Sequence, residues 1–365
     1  MNESTKRPSL LRLVRRPMFW GAVAIAALLL LNLIKDPAYL AISVNPSNGH
    51  LVGNLIDILR ASAPILMIAL GMALVIATGG IDLSVGSVMA VAGATAMEFL
   101  KSAGGDPGSA FAALGLSLGV AALLGLVNGA LVAFVGLQPF ISTLVMMLAG
   151  RGLAKVVTGG QNTNAENGMF RWIANGYVLG IPVVFLLAIA VVIVVGLVVR
   201  RSALGLMVEA IGINPKASRM AGVRPRGILL TVYTLSGLLA GVAGVFAVST
   251  VMTVDVSRTG YQMELDAILA VVIGGTALTG GKFSINGAVI GALLIATLNK
   301  TVLFLGISSS ATPAFKAIVI VVLCLVQSEK VRARFSRRRN RGAESGPMPQ
   351  TALLKLGAEG KGAGA

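Results

Sequence analysis

Ten apolar runs, separated by short polar breaks, recur along this chain. They fall at Met18–Ile34, Leu55–Ala77, Leu83–Leu100, Phe111–Val135, Phe140–Thr158, Ile181–Val199, Ile228–Thr250, Leu265–Leu278, Ile285–Leu305 and Pro313–Gln327. Segments of about 20 apolar residues match the hydrocarbon thickness of a bilayer. Within lipid the backbone must satisfy its own hydrogen bonds, which leaves helices or a closed barrel. The runs are continuous rather than alternating, and that selects helices. The pattern predicts an all-α, polytopic transmembrane bundle of about ten spans. It divides the chain into a basic leader, 1–17, a membrane domain, 18–328, and a polar tail, 329–365.

Composition supports this reading. Of 365 residues, 56% are hydrophobic and only 12% charged, with a mean hydropathy of +0.87. A soluble domain carries about 25% charged residues. The net charge of +16 raises nucleic-acid binding as a question, but position answers it. Eighteen of the thirty basic residues cluster before Met18, between Arg200 and Arg226, and between Lys330 and Arg341. Patches that flank spans follow the positive-inside rule, and no nucleic-acid recognition motif is present. An uncleaved first span from a cytoplasmic N-terminus returns the chain inside at Arg200 after six crossings and again after ten. Both termini are therefore expected in the cytoplasm. The single Cys324 and single His50 exclude disulfides, zinc sites and Cys–His catalysis within the chain.

The polar island RRSALGLMVEAIGINPKASRMAGVRPR, residues 200–226, separates two apolar halves. Asn214 suits a helix N-cap, Pro215 the first helical position and Gly222 the residue after the last turn. A short helix over Pro215–Ala221 is expected on the cytoplasmic side, where a soluble partner can grip it.

The chain also echoes itself. GGIDLSVG at Gly79–Gly86 resembles GGTALTGG at Gly274–Gly281. Both follow an apolar run and precede another. Gly79, Gly80, Gly274 and Gly275 are expected to break helices, and Gly-interrupted segments at matching positions mark binding sites in transporters. On the span count the repeat is parallel.

Chemistry that would power transport is missing. A phosphate loop requires GxxxxGK[ST]. The nearest stretch, GTALTGGKFS, has Thr276 in place of the first glycine and Phe283 in place of Ser or Thr. Ionisable residues within spans are few: Asp82, Arg151, Lys155 and Asp266. Asp82 costs about 2.5–3.5 kcal/mol if left unpaired mid-span. Ser84 and the free N–H groups of a restarted helix can satisfy it, or it can meet a substrate hydroxyl. Further candidates for the substrate path are Asn128, Gln138, Thr143, Thr276, Thr279 and Asn286, most of which can equally bridge helices. Arg151 and Lys155 are expected to snorkel to the outer interface. Asp266, with Glu264, is expected to stabilise the start of its span.

These stretches together carry a resemblance. IATGGIDLSVGSVMAVAGA, NGALVAFVGLQPFISTLVMMLAGRGLA, EAIGINPKASRMAGV and ELDAILAVVIGGTALTGGKFSINGAVIGAL are similar to the inner-membrane permeases of bacterial sugar ABC importers of the ribose and galactose type. The resemblance runs from about Ile56 to Ser328. It implies a multi-pass inner-membrane subunit that imports a monosaccharide, galactofuranose or a related sugar, by alternating access. It implies three partners: a sugar-type ABC ATPase, which binds the ATP and Mg, a periplasmic sugar-binding protein, and a second permease copy, identical or paralogous. Membrane lipid surrounds the chain, no nucleic acid is expected, and the chain binds no cofactor or metal itself. Glu209, Ala210, Gly212, Asn214, Pro215, Ala217 and Gly222 are implied to couple the permease to the ATPase. An ion-coupled secondary transporter is the alternative reading. The Gly/Ala-rich tail departs from the family.

Overall fold

The computed structural model describes residues 17–46, 49–308 and 310–327. The leader ahead of Pro17, the tail after Gln327 and the sidedness assigned to them lie outside the described residues. The chain divides into a unit Met1–Ile318 and a second, Val319–Ala365, of which the described part is the end of the last helix.

Helices account for the architecture of the described residues: α1 (Pro17–Lys35), α2 (Asn54–Ala77), α3 (Val85–Ala103), α4 (Pro107–Ala130), α5 (Pro139–Val157), α6 (Gly168–Asn175), α7 (Val183–Arg201), α8 (Leu204–Ile213), α9 (Pro215–Met220), α10 (Pro225–Val251), α11 (Met263–Ile273), α12 (Ile285–Phe304) and α13 (Thr312–Gln327). A π-helical turn, Leu131–Val135, extends α4. Three antiparallel pairs of two-residue strands tie loops together. Each predicted apolar run holds a helix. Seven of these helices are long and apolar enough to cross a membrane: α1, α2, α4 with its π turn, α5, α7, α10 and α12. Three differ from the simple expectation. Helix α3 carries Glu98 and Lys101, and α11 has 11 residues, about 16 Å of rise, which is half a bilayer. The third, α13, is a shorter apolar helix.

Contacts fix the direction of each helix. Gly21 faces Ile290, and Asn32 donates to Thr301, so α1 and α12 are parallel. Lys300 pairs with Asp57 at one end while the Gly281 N–H donates to the Ala77 carbonyl at the other, so α2 opposes α12. Gly71 faces Ser236 and Gly80 faces Tyr233, so α2 opposes α10. Helix α3 runs with α10, through Gly244 on Met89 and Gly93 on Val248. Helix α11 opposes α12, through Gly291 on Ala270 and Gly274 on Gly287.

Two helix pairs therefore share one device in opposite senses. After α2 the chain breaks at Thr78–Ser84, re-enters the bundle and continues as α3. After α10 it breaks at Met252–Gln262, re-enters and continues as α11. The re-entry points meet. A Cβ on Gly86 would overlap the Gly260 carbonyl oxygen, and a Cβ on Gly260 would overlap that of Gly86. This reciprocal contact relates the pairs α2–α3 and α10–α11 as an inverted arrangement, a layout shared with many transporters.

The sequence echo marks a different likeness. Helices α2 and α11 both run toward the same end of the bundle and close with the same cap. Gly79 N–H donates to Ile76 and Gly80 N–H to Val75; Gly275 N–H donates to Val272 and Thr276 N–H to Val271. These are Schellman closures, with Gly79 (φ 84°) and Gly275 (φ 94°) in the left-handed region. The geometry thus pairs Gly79 with Gly275, one residue out of register with the sequence match. Ser84 and Ser284 hold the N-cap positions of the following helices, the second accepting from the Gly287 N–H, so Thr279 is not the counterpart of Ser84. The second loop is longer, and Gly280 and Gly281 both take positive φ within it.

Candidate functional site

Asp82 lies at the bottom of the first re-entrant break and is 1% exposed. Its carboxylate is fully engaged. Ser84 donates from both N–H (3.0 Å) and Oγ (2.6 Å) to Oδ1, and Ser236 Oγ of α10 donates to Oδ2 at 2.8 Å. Asn128 Nδ2 of α4 donates to Ser84 Oγ at 2.8 Å, and Ser142 Oγ of α5 reaches Asn128 Oδ1 at 3.4 Å. One buried network thus joins α3, α4, α5 and α10 through the break. Charge-assisted hydrogen bonds of this kind are about twice as strong as neutral ones. Beside it, Thr143 Oγ1 donates to the Ile81 carbonyl at 3.1 Å, and the buried Tyr233 hydroxyl sits against Gly80 with no hydrogen-bond partner among the described residues.

The structure brings Asp82, Ser84, Asn128 and Thr143 together and leaves the other path candidates elsewhere. Gln138 is exposed ahead of α5. Thr276 is buried and accepts from the Ser284 N–H at 3.2 Å. Thr279 is exposed in the turn, and Asn286 is exposed and accepts from Arg200 at 3.3 Å.

Arg151 corrects an expectation. It does not snorkel. Its guanidinium donates to the carbonyls of Thr259 and Gly260, each at 2.6 Å, and so clamps the second re-entrant break to α5. Glu264 lies beside Gly86, with Oε2 buried and without a hydrogen-bond partner among the described residues. Lys155, four residues on, is exposed. Asp266 is also placed differently from the expected helix-start role alone. It takes both oxygens to Lys316 of α13, at 3.0 and 2.9 Å, in a largely buried ion pair.

The polar island folds as α8 and α9. Asn214 caps α9, its Oδ1 accepting from the N–H groups of Lys216 (3.0 Å) and Ala217 (3.1 Å), and Gly222 closes it with φ 86°. Gly205, Val208 and Ile211 recur every third residue and bury one face of α8. On the outside stand Ile213, 73% exposed, and Met220, 90% exposed. Pro215, Ala217 and Gly222 are also exposed; Glu209 and Ala210 are half-buried.

Gly212 is the point of closest approach. A Cβ there would overlap the Ala77 carbonyl oxygen and the Gly281 amide nitrogen, which already bond to each other at 2.9 Å. A Cβ on Gly280 would come within 2.9 Å of the Gly79 backbone. Helix α8 is therefore seated directly on both helix-breaking loops, Gly79–Gly80 and Gly275–Gly281.

Sequence reasoning missed Ser236, Ser142, Tyr233 and the Arg151 clamp. Each is an ordinary residue in an apolar run, and only the inter-helix contact singles it out. Among the described residues no group of three or more His, Cys, Asp or Glu is placed to hold a metal.

A bundle of apolar helices with two opposed re-entrant breaks and an exposed helical pair on one end is the layout of a membrane transport permease. The chain belongs to the family described as branched-chain amino acid transport system / permease component, which matches residues 54–326. It is 50% identical over 335 residues to a fructose import permease of Bifidobacterium longum, covering 90% of this chain and 93% of the relative. It is 41% identical to a galactofuranose transporter permease of Escherichia coli, covering 84% and 89%, and 39% identical to the Escherichia coli ribose import permease, covering 79% and 90%. No solved structure matches it. Among these permeases the likeness is to sugar ABC importers, and the chain is a multi-pass protein of the inner membrane. The fructose permease exceeds the galactofuranose permease in identity, so the similarity does not single out galactofuranose.

Proposed function

We propose that this chain is the membrane subunit of a monosaccharide importer, moved by a separate ATPase that docks on α8 and α9. The observation that carries this reading is the seating of Gly212 on the Ala77 carbonyl and the Gly281 amide. A force on Glu209–Gly222 reaches both helix-breaking loops without an intervening side chain. Exposed Ile213 and Met220 supply the apolar anchors a docking surface needs. ATP and Mg belong to the partner.

Fructose is the first sugar to test, on the 50% identity to a fructose permease, with galactofuranose and ribose next. A periplasmic binding protein delivers the sugar, and a second permease copy completes the pathway. Both termini and the α8–α9 end face the cytoplasm, where the basic residues of 200–226 favour placement. The Asp82–Ser84–Asn128 network holds the first break in shape. Thr143, Gln138, Thr276, Thr279 and Asn286 remain candidates for contact along the path.

The test is uptake into proteoliposomes that contain this chain, its ATPase and its binding protein. Uptake of one of the three sugars that requires ATP, and that Glu209→Lys abolishes while ATP hydrolysis continues, supports the reading. Uptake that follows a proton gradient and needs no ATPase makes the chain a secondary transporter instead.

A further inference from the structure

We propose that an anionic phospholipid occupies a groove at the α8–α9 end of the bundle, with an acyl chain between α4, α7 and α10 and its phosphate on the arginines at the groove's mouth. The groove has a volume of about 560 Å³. Leu126 of α4, Val194 and Val198 of α7, Leu204 of α8, and Leu230 and Leu238 of α10 line it. From Leu230 to Leu238 it follows roughly 12 Å of helix.

The chemistry of the lining excludes a sugar. Its two polar residues, Thr231 and Thr234, donate their hydroxyls to the Gly227 and Leu230 carbonyls of their own helix, at 2.9 and 2.8 Å. Both hydroxyl protons are engaged, and every other lining residue is Leu or Val. A hydrocarbon chain needs no donor and fits such walls.

Beyond the lining, the same helices carry the opposite character. Arg201 ends α7, and Arg226 lies one turn before Leu230 on α10. Arg201, Arg224 and Arg226 are exposed, and none is paired with a carboxylate in the ion pairs of the described residues. Guanidinium groups bind phosphate in a bidentate, charge-assisted manner. An apolar slot whose helices continue into arginines with no ion-pair partner among the described residues matches a lipid with a negative headgroup. A second copy presenting the same face would bring like arginines together, which disfavours it as the occupant. Leu204 is the first residue of α8, so a lipid seated here braces the joint between α7 and the α8–α9 pair.

The experiment is native mass spectrometry of the full-length permease, released from nanodiscs made of equal amounts of phosphatidylglycerol and phosphatidylcholine. Phosphatidylglycerol is expected to be retained over phosphatidylcholine by about tenfold. Arg201→Gln with Arg226→Gln, both at exposed positions, is expected to bring that ratio close to one. Leu235→Trp, which fills the groove, is expected to lower retention of both lipids. Equal retention by the unsubstituted chain, or a preference that survives the double arginine substitution, overturns the proposal. So does loss of the preference on adding inorganic phosphate alone, which would make the arginines a free-phosphate site. Disulfide-linked dimers through Leu235→Cys in a Cys324→Ser background would place a second copy in the groove and overturn it as well.

Discussion

Gly212 of α8 lies so close to the Ala77 carbonyl that no side chain fits between them. Ala77 is the last residue of α2, and its carbonyl also accepts from Gly281 in the turn after α11. Three segments far apart in sequence thus share one backbone junction. The outermost, α8, is flanked by the basic residues of 200–226; the inner two are the loops at which helices break. Under the proposed coupling, a displacement of α8 reaches both loops through main-chain contacts alone.

The Asp82 network makes a first prediction. Asp82→Ala removes three hydrogen bonds to a buried carboxylate and leaves Ser84 and Ser236 without their acceptor. The expected loss is about 3 kcal/mol or more. Asp82→Asn keeps the shape and some of the acceptors and is expected to cost less. Thermal unfolding in detergent distinguishes them; equal stability of Asp82→Ala and the unsubstituted chain would show that the network does not hold the break.

Arg151 makes a second. A lysine at this position keeps the charge but cannot serve two adjacent carbonyls with a planar fork. Arg151→Lys is expected to loosen the 252–262 break, seen as faster backbone hydrogen exchange at Ser257–Tyr261. Unchanged exchange would mean that the Gly86–Gly260 contact holds the loop by itself.

The Asp266–Lys316 pair makes a third. Either alanine substitution alone strands a largely buried charge, at a cost of about 3–5 kcal/mol. The Asp266→Ala, Lys316→Ala double substitution is expected to recover much of that loss. A double-mutant cycle on unfolding temperature measures the coupling, and additive losses would refute it.

Asp106 makes a fourth, on pH. It caps α4 from outside the helix and accepts from the Ser109 N–H at 2.9 Å. That bond holds its carboxyl below the usual carboxylate range. A depressed folded value means stability that is present above the unfolded pKa and lost as pH falls through the folded one. The stability gap between the unsubstituted chain and Asp106→Ala is therefore expected at pH 7 and to shrink below about pH 4. A gap that widens in acid contradicts the cap.

Much of the fold was legible because lipid imposes a simple rule: apolar runs become helices. Asn214, Pro215 and Gly222 announced α9 to within a residue, since capping is local chemistry. Direction and depth were not legible. The predicted span at Leu265–Leu278 holds only the 11-residue α11, and only the contact of Gly86 with Gly260 shows that α11 begins inside the bundle. The echo of glycines was real as a cap but misaligned by one residue, because the left-handed residue is the second glycine in one loop and the first in the other. Arg151 was misread because a cation in a span, here with Lys155 four residues on, gives no hint of two carbonyls over a hundred residues away. The sugar is not written in any local pattern.

The central claim is that α8 moves the two loops through the Gly212 junction, and one comparison tests it most directly. Gly212→Ala forces a methyl into the Ala77 carbonyl, while Gly227→Ala, also on a helix, meets open space. Overpacking of this kind costs about 1–3 kcal/mol. Sugar uptake and ATP hydrolysis are measured together for both variants in the reconstituted importer. The account predicts that Gly212→Ala inserts and supports ATP hydrolysis but loses uptake by at least about tenfold, while Gly227→Ala is unaffected in both. Normal uptake by Gly212→Ala, in a folded and correctly inserted permease, would contradict it.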